Sequence, residues 1–170
     1  MAAELDFDEF YRATARRVLR YVFGMTGDLH LAQDITQEAY ARAWRRWSAV
    51  SGYDSPESWI RLVANRLATD SWRRRAANRR YEAAAGPPAP VPPPSETTVV
   101  LLDALRRLPK RQRQVMCLHY LLDLPVAEIA LEIGIAEGTV KSMLSRGRSS
   151  LAAILGSFNP SALSGDNGVH

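Results

Sequence analysis

From Ala83 to Ser95 the chain reads Ala-Ala-Ala-Gly-Pro-Pro-Ala-Pro-Val-Pro-Pro-Pro-Ser, and this segment limits what the chain can become more than any other. Proline lacks a backbone donor and holds φ near its own ring geometry, so neither a helix nor a paired strand can run through such a stretch. The segment also has almost nothing to bury. Residues 83–96 are therefore predicted to form an extended, polyproline-biased linker, reaching on the order of 40 Å when fully drawn out. On either side lie residues 1–82 and 97–155, each long enough for a small domain, since many chains of about 60 residues fold alone.

Both flanks carry helical periodicity. From Phe7, the apolar positions Phe10, Thr14 (through its methyl), Val18, Tyr21, Val22 and Met25 recur at three and four residues. Thr26-Gly27-Asp28 ends that helix, and Asp28 is placed to cap a second from about Leu29 to Trp47, with Leu31, Ile35, Ala39 and Ala43 inward. Ser48 to Asp54 is predicted to be a loop. Ser55-Pro56 then opens a third helix with Trp59, Leu62, Val63, Ala64 and Leu67 as its buried stripe. Beyond the linker, Leu101, Leu102, Leu105 and Leu108 form one helical stripe, and Pro109 restarts the chain into a helix carrying Val115, Met116, Leu118, His119 and Leu122. Asp123-Leu124-Pro125 turns the chain into a short helix with Ile129, Ala130 and Ile133, closed by Gly134, and a last helix runs from Glu137 to about Leu155. Residues 156–170, rich in Ser, Gly and Asn, are expected to be a disordered tail. No β alternation occurs. The expected fold class is all-α, two small helical domains joined by a Pro-rich linker, the C-terminal one containing a helix-turn-helix.

Charge and cysteine usage narrow the function classes. Twenty-two basic against 18 acidic residues give a net charge of +4, a balance that suits a polyanionic partner. The cations cluster at Arg73, Arg74, Arg75, Arg79 and Arg80 and again at Arg106, Arg107, Lys110, Arg111 and Arg113, although such runs are by themselves ordinary solvated helix faces. Cys117 is a single cysteine among apolar neighbours, which excludes an internal disulfide and fits a reducing compartment. The first residues are acidic where a secretory signal would be basic, and no apolar run approaches the roughly 20 residues a membrane span needs. A cytoplasmic protein with no membrane insertion is expected. His30, His119 and His170 are scattered and Cys117 has no partner at ligand spacing, so no metal, cofactor or catalytic set is expected.

Pro125 to Leu151 has the spacing of a helix-turn-helix. Ala130 is small where two helices must cross, Gly134 suits a left-handed turn, and Val140 packs the second helix on the first. The second helix then offers Lys141, Ser142, Ser145, Arg146 and Arg148, base-reading and phosphate-binding types with no acid among them. On the second helix of the chain Asp34, Gln37, Glu38 and Arg42 make a polar stripe apart from the buried one, which is either a solvated surface or a docking face. Asn65, Thr69, Trp72, Arg73 and Ala76 share a stripe of the third helix that could bind and stack opened DNA. Trp72 fits core packing equally well. Trp44, Trp47 and Trp59 are expected to be core or wall residues.

These blocks resemble the extracytoplasmic-function group of sigma factors. The C-terminal resemblance rests on Leu108-Pro109, Arg113, Glu128-Ile129-Ala130, Gly134, Gly138-Thr139-Val140-Lys141-Ser142, Arg146-Gly147-Arg148 and Leu151. The N-terminal one rests on Leu31 to Trp44 (Leu-Ala-Gln-Asp-Ile-Thr-Gln-Glu-Ala-Tyr-Ala-Arg-Ala-Trp), then Pro56, Trp59, Ala64-Asn65, Asp70 and Arg73-Arg74. Gln33 stands where the group usually has an acid, Ala136 where it often has serine and Gly147 where it usually has alanine. The resemblance implies that Asp34, Gln37, Glu38 and Arg42 dock on core RNA polymerase, and that Asn65, Thr69, Trp72 and Arg73 meet the start-site-proximal promoter element. It implies further that Lys141, Ser142, Ser145, Arg146 and Arg148 contact the minus-35 element. The polymerase would supply the catalysis, the free factor would be a monomer, and an anti-sigma protein is a further partner to look for. The rival readings are a stand-alone helix-turn-helix regulator, which leaves Leu31–Trp44 unexplained, and a small nucleic-acid-processing enzyme, which lacks a carboxylate cluster for metal.

Overall fold

The computed structural model describes residues 6–78 and 95–157, and within them every regular element is helical. The first group comprises α1 (Phe7–Thr26), α2 (Leu29–Arg45), the one-turn α3 (Trp47–Val50) and α4 (Pro56–Asn78). The second comprises α5 (Glu96–Arg106), α6 (Lys110–Tyr120), α7 (Val126–Ile133) and α8 (Glu137–Ser157). Each group is a compact unit with its own core. Of the linker expected at 83–96, Ser95 and Glu96 are instead the cap and first residue of α5, and of the tail expected at 156–170, Gly156 and Ser157 are instead the end of α8; the rest of both lies outside the described residues.

In the first unit local chemistry sets the helix ends. Gly27 takes φ 68°, the left-handed conformation that an L side chain disfavours, and its N–H donates to the Phe23 carbonyl. In the next residue, Asp28, Oδ1 accepts from the Leu31 N–H at 3.0 Å and starts α2. The short turn folds α2 back on α1, so that Val18, Tyr21, Val22 and Met25 meet Leu31, Ile35, Ala39 and Ala43. Ser55 caps α4 through its hydroxyl, with Pro56 as the first helical residue.

Within the helices of the first unit the structure departs from the sequence reading in four places. The second helix stops at Arg45 rather than Trp47, because Arg46 leaves helical geometry (φ −121°, ψ 22°) and α3 makes its own turn out of residues expected to be loop. That break swings Trp47 onto Phe10, with ring centroids 5.0 Å apart, and buries Val50. On α4 the buried stripe is Ile60, Val63, Ala64 and Ala68; Trp59 and Leu67 are half-buried and Leu62 is 47% exposed. Leu62 sits about 200° round the helix from Ile60 at about 100° per residue, so both cannot face one core. Trp44 is 65% exposed and belongs to no core. Thr14 contributes its hydroxyl as well as its methyl, 2.7 Å from the Phe10 carbonyl and 2.6 Å from the Tyr40 hydroxyl.

A buried cation was also missed. Arg61 is 2% exposed and lies with Nη1 3.0 Å from Glu57 Oε2, an ionic contact whose angle is too poor for a hydrogen bond. Arg17 Nε donates to the other Glu57 oxygen at 3.0 Å, so one carboxylate joins α1 to α4 through two guanidinium groups.

In the second unit Val115, Met116, Cys117 and Leu118 of α6 pack with Ile129, Val140 and Leu144. Arg113, a member of the second basic cluster, is structural: Nε donates to the Leu105 carbonyl at 2.9 Å and Nη2 to those of Arg106 (2.9 Å) and Leu108 (3.2 Å). It closes the C-terminal end of α5, whose last carbonyls have no helical partner. Burial and the low polarity around Cys117 push its thiol up to about 12, which makes it an inert core residue.

Candidate nucleic-acid interface

The helix-turn-helix is built by three residues. Gly134 takes φ 69° and donates to the Ala130 carbonyl at 3.0 Å, and the next N–H, of Ile135, reaches the same oxygen at 3.1 Å. This doubly held turn reverses the chain between α7 and α8, and Val140, fully buried, locks the second helix on the first. Ala136 has no side-chain hydroxyl, yet α8 begins in register at Glu137, its first carbonyl acceptor being Ala136, which receives Thr139 and Val140 at 3.0 and 3.1 Å.

Val140, Leu144 and Gly147 form the inward stripe of α8. Lys141, Ser142, Ser145, Arg146 and Arg148 are all exposed, so the five residues expected to meet the minus-35 element share the solvent side of one helix. They are not equivalent. Arg148 turns back, its Nη1 donating to the Tyr120 hydroxyl at 3.1 Å, beside an apolar groove of about 440 Å3 lined by Leu101, Leu105, Met116 and Leu155. Ser142 and Arg146 lie about 120° and 160° round the helix from Arg148 at about 100° per residue, while Ser145 lies about 60° from it and one turn nearer the N-terminus. Gly147, unusual for the group, meets Met116: a Cβ there would lie 2.7 Å from the Met116 sulfur.

In the first unit Asp34 and Gln37 are exposed on α2, while Glu38 accepts from Arg42 Nε at 2.9 Å and lies 3.7 Å from Arg45 Nη2. The Arg42 hydrogen bond, ahead of a small opposing effect of desolvation, holds the Glu38 carboxyl below its usual range. Trp44, seven residues after Gln37, continues the same outer stripe, a signal the sequence held in its spacing but which its aromatic character obscured. On α4, Asn65 is half-buried and its Oδ1 accepts from the Tyr21 hydroxyl at 2.9 Å; Thr69 donates to the Asn65 backbone carbonyl at 3.0 Å. Trp72 is half-buried and Arg73 exposed. The stripe is therefore real on the backbone, but its amide oxygen is already committed to α1. Among the described residues no group of His, Cys, Asp and Glu could hold a metal ion, and no helix is long and apolar enough to cross a membrane.

Two helical units, the second ending in a helix-turn-helix whose outward face is cationic and hydroxylic, have the form of a DNA-binding protein. Residues 10–78 match the family model of sigma-70 region 2, and residues 98–151 that of sigma-70 region 4. The RNA polymerase sigma-E factor of Streptomyces antibioticus is 31% identical over 144 residues, covering 84% of this chain and 80% of that protein. The extracytoplasmic-function sigma factor SigL of Mycobacterium tuberculosis is 32% identical over 143 residues, with 79% and 80% covered. The structure of the sigma factor RpoE of Bartonella quintana, solved with the anti-sigma factor NepR, has the same fold, at a TM-score of 0.71 and 19% identity over 88% of this chain and 96% of that one. The chain belongs to the extracytoplasmic-function group of the sigma-70 family: it is a promoter-directing transcription initiation factor.

Proposed function

We propose that the two units divide initiation between them. The first unit docks on core RNA polymerase through the outer face of α2 and holds opened DNA along α4, and the second reads the minus-35 element with α8. The domain roles follow residues 1–82 and 97–155, with 83–96 as the connecting linker. Polymerase supplies the chemistry, so the factor catalyses nothing by itself, and it works in the cytoplasm as a monomer when free. An anti-sigma partner belongs to this reading because the Bartonella quintana sigma factor was solved bound to one.

The observation that carries the reading is the polarity of α8, whose buried stripe of Val140, Leu144 and Gly147 leaves Lys141, Ser142, Ser145 and Arg146 outward with no acid among them. Hydroxyl, ammonium and guanidinium donors on a groove-width helix suit base edges and their phosphates. On α2 the docking set is Asp34, Gln37, Glu38 and Arg42, to which the exposed Trp44 is added as an aromatic anchor of the kind that dominates interfaces. The test is reconstitution with core polymerase: the mixture should initiate at discrete sites when neither component does so alone. Asp34→Ala with Gln37→Ala should weaken assembly with polymerase while circular dichroism and Tm stay nearly unchanged, since both side chains are exposed. Unchanged polymerase affinity in that variant removes the docking role from α2.

A further inference from the structure

Tyr120 lies outside the helix-turn-helix, yet it reaches the outer face of α8. It is the last residue of α6 and is 50% exposed, and its hydroxyl accepts from Arg148 Nη1 at 3.1 Å. Folding has little need of this bond, since both residues are exposed and α6 is already packed on α8 through Val115, Met116 and Leu118. The place of Arg148 on the helix points elsewhere. At about 100° per residue Lys141, Ser145 and Arg148 fall within about 60° of one another, a single row about 10 Å long at about 1.5 Å per residue. Arg148 thus ends a row whose other members are expected to face DNA, and Tyr120 extends that row from a second helix. Among the described residues no carboxylate pairs with Arg148.

Hydrogen-bonding capacity decides what the pair can hold. A phenol has one O–H donor and two acceptor lone pairs. The guanidinium takes one acceptor position, which leaves the O–H proton for an acceptor outside the protein. Accepting from a cation also polarises that O–H and strengthens it as a donor. The ring is braced from behind: His119 meets it edge-on, with ring centroids 4.8 Å apart, and His119 Nδ1 is itself held 3.0 Å from the Leu124 carbonyl. A carbonyl only accepts, so Nδ1 carries the proton there. A fixed neutral donor beside a forked cation, with no acid between them, matches the two free oxygens of one backbone phosphate.

We propose that Tyr120 is a DNA-binding residue, its hydroxyl donating to the same backbone phosphate that Arg148 grips, so that α6 clamps the strand from outside the helix-turn-helix. The proposal rests on the reading that α8 meets the minus-35 element. It gives the bond between Tyr120 and Arg148 a purpose that packing does not supply, and it adds a neutral donor to a contact otherwise made by charge alone.

The test uses holoenzyme reconstituted from the full chain and core polymerase, on a promoter fragment at which it initiates, with a neutral methylphosphonate placed in turn at each phosphate of the upstream element. Tyr120→Phe keeps the ring and should leave the Tm of the free chain unchanged, while promoter binding weakens by about tenfold, the worth of one hydrogen bond to a charged group. The loss should be alike for promoters that differ in upstream sequence, and the salt slope should hold, because a neutral hydroxyl displaces no counterion. Arg148→Ala should instead lower that slope by about one. At one phosphate position the methylphosphonate should weaken binding by the native holoenzyme and weaken it far less in both variants. Three results overturn the clamp: no loss with Tyr120→Phe, relief at different phosphates in the two variants, or a salt slope that falls with Tyr120→Phe, which would make Tyr120 only a positioner of Arg148. A lowered Tm with undiminished sensitivity at every phosphate overturns it too, since the role is then structural. If Tyr120→Phe is neutral while Arg148→Ala weakens binding, the clamp fails and the minus-35 reading stands. If the native holoenzyme is indifferent to methylphosphonates along the whole upstream element, that reading fails and takes the clamp with it.

Discussion

Glu57 carries the polar interior of the first unit, because Arg61 is buried beside it and Arg17 reaches it from α1. Removing one partner of such a group leaves a buried charge uncompensated, so Glu57→Gln should cost about 3 kcal/mol in urea unfolding, whereas replacing Glu57 and Arg61 together by apolar residues of similar size should cost far less. A loss below about 1 kcal/mol for Glu57→Gln would show that the triad contributes little. Asp28 makes a second residue-scale link. Burial works to raise its carboxyl pKa, but the Leu31 amide and then the hydrogen bond and charge of Arg75, 3.3 Å away, outweigh it and hold the carboxyl below its ordinary range. A depressed folded pKa means that the ionised form stabilises the fold above the unfolded value, and that this contribution is lost as pH falls through the folded pKa. The stability advantage of the native chain over Asp28→Asn should therefore be full at neutral pH and shrink below about pH 4. An advantage that stays constant through that range would remove Asp28 as its source.

Within α8 the division of labour runs round the helix as well as along it. Ser145 and Arg146 are free to enter a major groove, and substituting either should change which upstream promoter sequences are used, at about 1–3 kcal/mol per lost base contact. Arg148, tethered to Tyr120, should act on the backbone: Arg148→Ala is expected to weaken all promoters alike and reduce the salt slope by about one. A promoter library transcribed by each variant distinguishes the two, and uniform loss in the Ser145 and Arg146 variants would mean that the reading face is misassigned. On the inner side of the same helix Gly147 and Met116 should be coupled. Alanine gains up to about 1 kcal/mol of helix propensity over glycine, but here its methyl would meet the buried Met116 sulfur. Gly147→Ala should destabilise the native background and stabilise a Met116→Ala background, and a double-mutant cycle with no coupling would refute this.

For the whole molecule, net charge and the split into two units limit what the free factor can do. Each unit has its own core, and the whole chain carries a net charge of only +4. The free protein should bind duplex DNA weakly, with affinity falling steeply as salt rises, because phosphate contacts release counterions while few base contacts compensate. Tight, sequence-selective binding by the chain alone at physiological salt would instead favour a stand-alone regulator.

The sequence by itself determined the helices, their caps at Asp28 and Ser55, the turn at Gly134 and the family motifs, because capping, left-handed glycine and apolar period act over a few neighbours in the chain. It also placed Asp34, Gln37, Ser145 and Arg146 on outer faces, which the period alone decides. Partners far apart along the chain were not legible. That Glu57 would join Arg17 to Arg61, that Arg113 would cap α5 instead of facing solvent, that Asn65 would be held by Tyr21, and that arginines of α2 and α4 would surround one cavity depended on how helices distant in sequence were packed. A charged side chain reads alike in a sequence whether water or a buried carboxylate awaits it, and only the tertiary structure decided which.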